Sequence, residues 1–228
     1  MTMALAENPR GMQALQVLRE SSPTRPEVRL VGIGSRLAVV KDFGGGNGIL
    51  RAMGRALIPR EREAYQRLAG LPGVPRWLGQ PNPYSMATEY LEGVPLPETD
   101  PGACTATFCA RLQALIRAMH GRGVVHCDLK CLENILVTPD GWPAIVDFSS
   151  AVFNGSNPAV ALLMPHLMDE DVRAVYKAKL WQAPHLLSDE EAVFLSAMPV
   201  GKRVVRCLVG CIRNAVKNVA NREHNRQE

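Results

Sequence analysis

Apolar and polar residues alternate through two adjoining runs, Val28 to Gly34 and Arg36 to Phe43, separated by a Gly34-Ser35 turn. A period of two marks strands with one buried face, so the two runs predict a hairpin. Before them, Met12 to Glu20 has a helical pattern that Ser21 to Pro26 breaks. Pro59 to Leu68 predicts a further helix. Proline suits a first helical turn and Gly70 suits the end, while Glu61, Tyr65 and Leu68 share one face at i, i+4 and i+7. Val74 to Leu78 and Ser85 to Tyr90 read as more strands, and Pro95 to Pro101 as a linker. Thr105 to Gly121 is a strong helix, because Phe108, Leu112, Leu115, Ile116 and Met119 form one stripe. Ile135 to Val137, a Pro139-Asp140-Gly141 turn and Ala144 to Val146 predict a second hairpin. The last helix is Val200 to Asn221. Val204, Leu208, Ile212, Ala215 and Val219 share one face, and Arg203, Arg206, Arg213 and Lys217 lie largely on another.

Composition narrows the class. At 228 residues, with 46% hydrophobic and 21% charged residues, the chain reads as a globular protein of one two-lobed domain or two very small ones. Aromatic residues are only 5%, which argues against a stacking surface for single-stranded nucleic acid. A net charge of +4 admits anionic substrates or an anionic membrane surface and requires neither. The six cysteines match no zinc spacing; they read as reduced thiols, with Cys127 and Cys131 the pair placed for a redox switch. No apolar run has the length of a signal peptide or a membrane span, so the expected location is cytoplasmic.

The chemistry lies in an ordered set. His126-Cys127-Asp128-Leu129-Lys130 is followed by Asn134-Ile135-Leu136-Val137 and then by Ile145-Val146-Asp147-Phe148-Ser149. Upstream, Val39-Val40-Lys41 ends a strand with a lysine on one face. Phosphoryl transfer from ATP is governed by positioning and charge neutralisation, and this set offers parts for both. Asp128 would orient a hydroxyl nucleophile. Asn134 and Asp147 would hold Mg2+ on the phosphates, and the hairpin between them would fix their separation. Glu61 is the choice for an ion pair with Lys41, with Glu63 in reserve.

Through these motifs the chain resembles the protein kinase-like superfamily, and more closely small bacterial kinases of the RIO and lipopolysaccharide-kinase type. The resemblance covers roughly residues 28–150 and extends less securely to about 195, through Asp169 to Lys179 and Pro184 to Glu191. It implies an α+β, two-lobed fold. A small antiparallel sheet plus helix would occupy about 1–92, and a reduced, mainly helical lobe about 93–228, with ATP in the cleft. It also implies that Lys41 reaches the α- and β-phosphates and that Gly32 and Gly34 stand in the phosphate loop; Lys130 is the catalytic candidate beside Asp128, either neutralising the transferred phosphoryl group or, in the longer loop, pointing away. Met86 to Gly93 resembles the hinge, with backbone groups of Glu89 and Leu91 facing adenine and Thr88 as gatekeeper.

The chain departs from the pattern in four places. The asparagine falls six positions after Asp128, so Glu133 takes the usual position and the loop is one residue longer. The phosphate loop is reduced to Val31-Gly32-Ile33-Gly34. Ser149 replaces a glycine. No Ala-Pro-Glu motif follows, and Pro158 to Pro165 cannot supply a long activation segment, a lack shared with RIO-type kinases. The resulting expectation is an ATP- and Mg2+-dependent phosphotransferase acting on a hydroxyl of a protein or of a sugar or lipid head group. The alternative is a nucleotide-binding regulatory module, a pseudokinase, that transfers nothing. If the acceptor is lipid-linked, the basic face of the last helix would touch the inner membrane; otherwise that helix is docked by its apolar stripe.

Overall fold

The computed structural model describes residues 12–155 and 158–197. The helix expected over 200–221, and with it Cys207 and Cys211, lies outside those residues. Two compact units divide the described chain: one holds 12–66 and 75–90, the other 67–74 and 91–197 except 156–157.

The first unit is an antiparallel sheet and one long helix. Strands β1 (Met12–Arg19), β2 (Glu27–Ile33), β3 (Arg36–Asp42), β4 (Trp77–Asn82) and β5 (Ser85–Glu89) are ordered β1-β2-β3-β5-β4. The β2–β3 hairpin pairs Ile33 with Arg36 across a two-residue turn, in which Gly34 takes the left-handed φ of +59° that such turns require. The segment expected as a helix, Met12 to Glu20, is instead strand β1. Pairing with β2 decides it, and irregularities at Ala14/Gln16 and Val17/Arg19 break the period of two, so the sequence shows no clean alternation.

Helix α1 spans Gly48–Arg67, starting eleven residues before Pro59. Its start is set by Asn47, whose Oδ1 accepts the Leu50 N–H at 2.9 Å. Pro59 therefore sits inside the helix, where it removes the bond to the Arg55 carbonyl. Burial of Leu50, Ala52, Ile58, Ala64 and Tyr65 outweighs that loss. Gly54 permits the approach to the sheet, since a Cβ there would lie 2.7 Å from Cβ of Phe43. The glycine-rich segment 44–48 is thus the lead-in to α1.

The second unit is mainly helical. Helix α2 (Ala106–Gly121) is capped by Thr105, whose hydroxyl accepts from the Phe108 N–H, and the predicted stripe is buried along its length. Two small antiparallel sheets flank it: β6 (Val94–Pro95) with β8 (Ile135–Val137) and β9 (Pro143–Ile145), and β7 (Val124–Val125) with β10 (Val152–Phe153). Helix α3 (Pro158–Gln182) occupies the stretch after β10. Its first half packs Met164 and Leu167 against Val125 and Cys127. Helix α4 (Asp189–Ser196) begins with a reciprocal cap between Ser188 and Glu191. No helix among the described residues is long and apolar enough to cross a membrane.

Candidate active site

In the first unit the alternation of β3 places Lys41 on the face that α1 covers. Its Nζ lies 2.5 Å from Oε1 of Glu61, which is wholly buried. Glu61 reaches that position because it shares a helix face with Tyr65 and Leu68, both buried. Thr88 is buried on β5, opposite Val39. The Glu89 N–H donates to the Arg76 carbonyl at 2.8 Å and its carboxylate receives the Arg76 guanidinium, so its N–H and its side chain are both engaged by Arg76. Gly32 lies within β2 and Gly34 in the hairpin turn.

In the second unit the segment after β7 is held from one side by a residue that sequence reasoning assigned no role. Asp171, from α3, is 1% exposed, and its carboxylate accepts the N–H groups of His126 at 2.7 Å and Cys127 at 2.9 Å. The same carboxylate meets His120 Nε2 at 3.1 Å. These bonds fix Cys127 in the left-handed region at φ +63°, a conformation that costs a non-glycine residue roughly 1–2 kcal/mol. The kink delivers Asp128 at the following position. His126 is wholly buried; Nε2 donates to the Val146 carbonyl at 3.0 Å, and Nδ1 accepts the Asp128 N–H at 3.3 Å. Its ring packs on Phe148, centroids 4.8 Å apart. The imidazole thus serves as a brace between the loop and the strand end that carries Asp147.

The lengthened loop turns on itself through Cys131 N–H to the Asp128 carbonyl, and through Asn134 N–H to the Cys131 carbonyl. Asn134 then points inward: Nδ2 donates to the Asp128 carbonyl at 3.1 Å, and its backbone carbonyl accepts from Val146. Oδ1 is the amide atom that remains for a cation. Glu133 turns away and accepts the Cys131 thiol at 2.7 Å. Burial, reinforced by Glu133, pushes that thiol up to about 11, so Cys131 is a protonated donor and no ready thiolate. Asp147 adopts a left-handed backbone, φ +65°, and its Oδ1 accepts from Ser149 N–H, whose bond does not need the glycine usual there.

The electrostatics single out Asp128. Burial is the main force raising its carboxyl above the ordinary aspartate range, and Asp147 and Asp171 add to it; Lys130 and His126 oppose them. Lys130 Nζ stands 3.9 Å from Asp128 Oδ1, and the Lys130 carbonyl receives Lys177 from α3 at 2.7 Å. Leu91, the first residue after the β-sheet unit, is half-buried.

Comparison with known proteins bears on the fold. No established family profile matches the chain. A bifunctional serine/threonine-protein kinase/NEDD4-like E3 ubiquitin-protein ligase of Dictyostelium discoideum is 24% identical over 197 residues, 75% of this chain. The chain spans only 10% of that relative's length. Among solved structures, the Rio2 kinase of Chaetomium thermophilum superposes with a TM-score of 0.59 at 17% identity, covering 94% of this chain and 74% of that one. The Rio2 kinase-ADP/Mg2+-phosphoaspartate complex from the same organism gives 0.58, again at 17% identity, with 94% and 73% covered. The chain has the α+β protein kinase-like fold.

Proposed function

Because the fold is protein kinase-like, we propose that the chain is an ATP-dependent phosphotransferase that moves the γ-phosphate to a hydroxyl acceptor. The observation that carries this reading is the bonded set around Asp128: Asn134 tied to the Asp128 carbonyl, with Asp147 following Val146, which donates to Asn134. In it Asp128 orients the acceptor hydroxyl and takes up its proton, a task suited to a carboxyl raised toward the working pH. Lys130 neutralises charge beside it. Lys41, held by Glu61, serves the α- and β-phosphates. Backbone groups of Gly32, Gly34, Glu89 and Leu91 hold the rest of the nucleotide.

One carboxylate and one amide oxygen form a hard-oxygen donor pair. That is the usual protein share of a Mg2+ site, where phosphates and water complete the shell. No cluster of three or more His, Cys, Asp or Glu residues able to hold a metal occurs among the described residues, so a dedicated protein cage is not the design. When bound, Mg2+ would neutralise the phosphate charge; Asn134 and Asp147 would hold it. Replacing Asn134 by Ala should therefore weaken Mg2+-dependent nucleotide binding by ~10-fold or more, whereas Glu133→Gln leaves it unchanged. A titration of nucleotide affinity against Mg2+ checks this, and the reverse order would shift the metal role to Glu133.

The acceptor is a protein hydroxyl or a sugar or lipid head group. Incubation of the purified chain with γ-labelled ATP and a fractionated lysate tests transfer and sorts these classes. Nucleotide binding with no label in any fraction would favour a regulatory module instead. The phosphoaspartate in the Rio2 complex favours one further reading, in which the acceptor is a carboxylate of the chain itself. Label on the chain that hydroxylamine removes would identify that acyl phosphate, and hydroxylamine-stable label would exclude it.

A further inference from the structure

Two buried thiols meet at the start of α2, and neither belongs to the candidate site. Cys104 is 2% exposed and Cys109 3%, and their Sγ atoms lie 3.4 Å apart, one thiol donating to the other. The helix cap sets this meeting. Thr105 is the N-cap: its hydroxyl accepts from Phe108 N–H, and its carbonyl accepts from Cys109 N–H at 2.9 Å. Cys104 therefore stands just before the cap, and Cys109 is the fourth residue of the helix. An apolar contact between those two positions fixes the angle at which a chain enters a helix. Here that contact consists of two sulfurs. The pair singled out by spacing, Cys127 and Cys131, differs: Cys127 packs among Val125, Met164 and Leu167, whereas Cys131 turns its thiol to Glu133. Beside Cys104 and Cys109 stands Lys179 of α3, held by both carboxylate oxygens of Glu191 at 2.6 and 2.9 Å. The hydrogen bond from Cys104 lowers the Cys109 thiol from its ordinary value; burial opposes this, Lys179 assists and Glu191 opposes.

We propose that Cys104 and Cys109 form a reversible dithiol–disulfide couple, a covalent staple across the first turn of α2 that hydrogen peroxide closes. Cys109, as the thiolate, attacks one peroxide oxygen. The O–O bond breaks, and the departing hydroxide joins the proton released by that thiol as water, leaving Cys109 as a sulfenic acid. The Cys104 sulfur then attacks the Cys109 sulfur. The S–S bond forms, the S–O bond breaks, and the departing hydroxide takes the Cys104 proton as a second water. Two thiols and one peroxide thus give one disulfide and two waters; the sulfurs are oxidised and the peroxide oxygens reduced. A compact oxidant suits buried thiols, which offer a bulky disulfide reagent little exposed sulfur. Closure to a bond of ~2.0 Å needs an approach of about 1.4 Å, shared between two side chains. The ring so formed spans the six residues 104–109. It removes freedom from the unfolded chain, so the staple favours the folded one.

Peptide mapping of the full chain tests the couple, because the tryptic peptide 77–111 carries both thiols and no other cysteine. The folded chain is treated with hydrogen peroxide, alkylated with iodoacetamide in denaturant, and digested. The peptide is expected to lose two hydrogens and to take no alkyl group, and dithiothreitol should restore both alkylation sites. Fragmentation separates this change from oxygen added at Met86 in the same peptide. Two alkyl groups retained, sulfinic acid in place of the disulfide, or a link from either thiol to a different cysteine would overturn the proposal. An equilibrium measurement removes any dependence on access. In glutathione buffers of graded ratio, the disulfide should be favoured at least ~10-fold more in the folded chain than in the chain unfolded in urea. Equal or weaker preference in the folded chain would overturn the staple. By the same linkage, closing it should raise Tm by roughly 3 °C or more. Cys109→Ser is the control, and its Tm should not respond to peroxide; a rise of equal size in that variant would assign the effect to other cysteines. The result is independent of phosphotransfer, which is assayed separately.

Discussion

Asp128→Asn should reduce phosphoryl transfer by ~100-fold or more while nucleotide affinity stays near that of the unmodified chain, because a positioned acid–base group contributes on that scale to the chemical step and little to binding. The amide keeps the shape of the side chain and leaves the braces around it untouched: the Asp128 N–H still reaches His126 Nδ1, and its carbonyl still holds Asn134. The same substitution should make the fold slightly more stable at neutral pH. The Asp128 carboxyl is raised in the folded state, chiefly by burial. A raised carboxyl favours folding below its unfolded value and loses that contribution as pH climbs through the folded value, so at neutral pH the ionised form is a burden. The Asn variant carries no such burden. Its Tm should exceed that of the unmodified chain at pH 7, and the gap should close as the pH falls through the folded value. Paired turnover and melting curves check both halves, and near-normal turnover would remove Asp128 from its role.

The second large effect is expected at Asp171, outside the proposed reacting groups. Asp171→Ala strands the buried N–H groups of His126 and Cys127 and removes the partner of His120. Each unsatisfied buried donor costs about 1–3 kcal/mol, so a total near 3 kcal/mol is expected. For a chain of this size that lowers Tm by roughly 6–12 °C. Turnover should fall too, measured well below the new Tm. Without the carboxylate, Cys127 is released from φ +63°, and Asp128 loses its fixed approach. Asp171→Asn retains one acceptor oxygen and should fall between the two. Calorimetry combined with turnover at low temperature separates loop geometry from global unfolding: a variant that melts early but turns over normally in the cold would make Asp171 purely structural.

The contrast between these two aspartates shows what the sequence could reveal. Asp128, Asn134 and Asp147 lie within twenty residues of one another, joined by a short hairpin whose turn residues are explicit, so local pattern sufficed to group them. Lys41 and Glu61 followed from the strand period and the helix period taken together. Asp171 serves backbone groups 44 and 45 residues away and stands in the run Asp169-Glu170-Asp171, which reads as a solvated helix face. One signal was present: Asp171 shares a face of α3 with Met164, Leu167, Ala174, Val175 and Ala178, all buried. A carboxylate on an apolar stripe must find donors inside the protein. Strand β1 was hidden for the opposite reason, since its identity depends on pairing with β2 and its two irregularities erase the alternation. In the long loop the two side chains diverge, Glu133 toward Cys131 and Asn134 toward the Asp128 carbonyl, a difference of direction that spacing alone does not reveal.

Pro59 divides α1 in a way that should appear in amide exchange. The residue has no N–H, so the hydrogen-bond ladder of the helix is interrupted between Arg55 and Pro59. Opening that begins at the glycine-rich start of the helix has a natural stopping point there, and 48–58 should behave as a separate, less protected unit from 60–67. Glu61 falls just beyond the break. Exchange of the first half in seconds to minutes, with the second half holding for much longer, would mean that the Lys41 ion pair is insulated from fraying at the near end of its own helix. Uniform exchange along all twenty residues would mean that the helix opens as one body despite the missing bond.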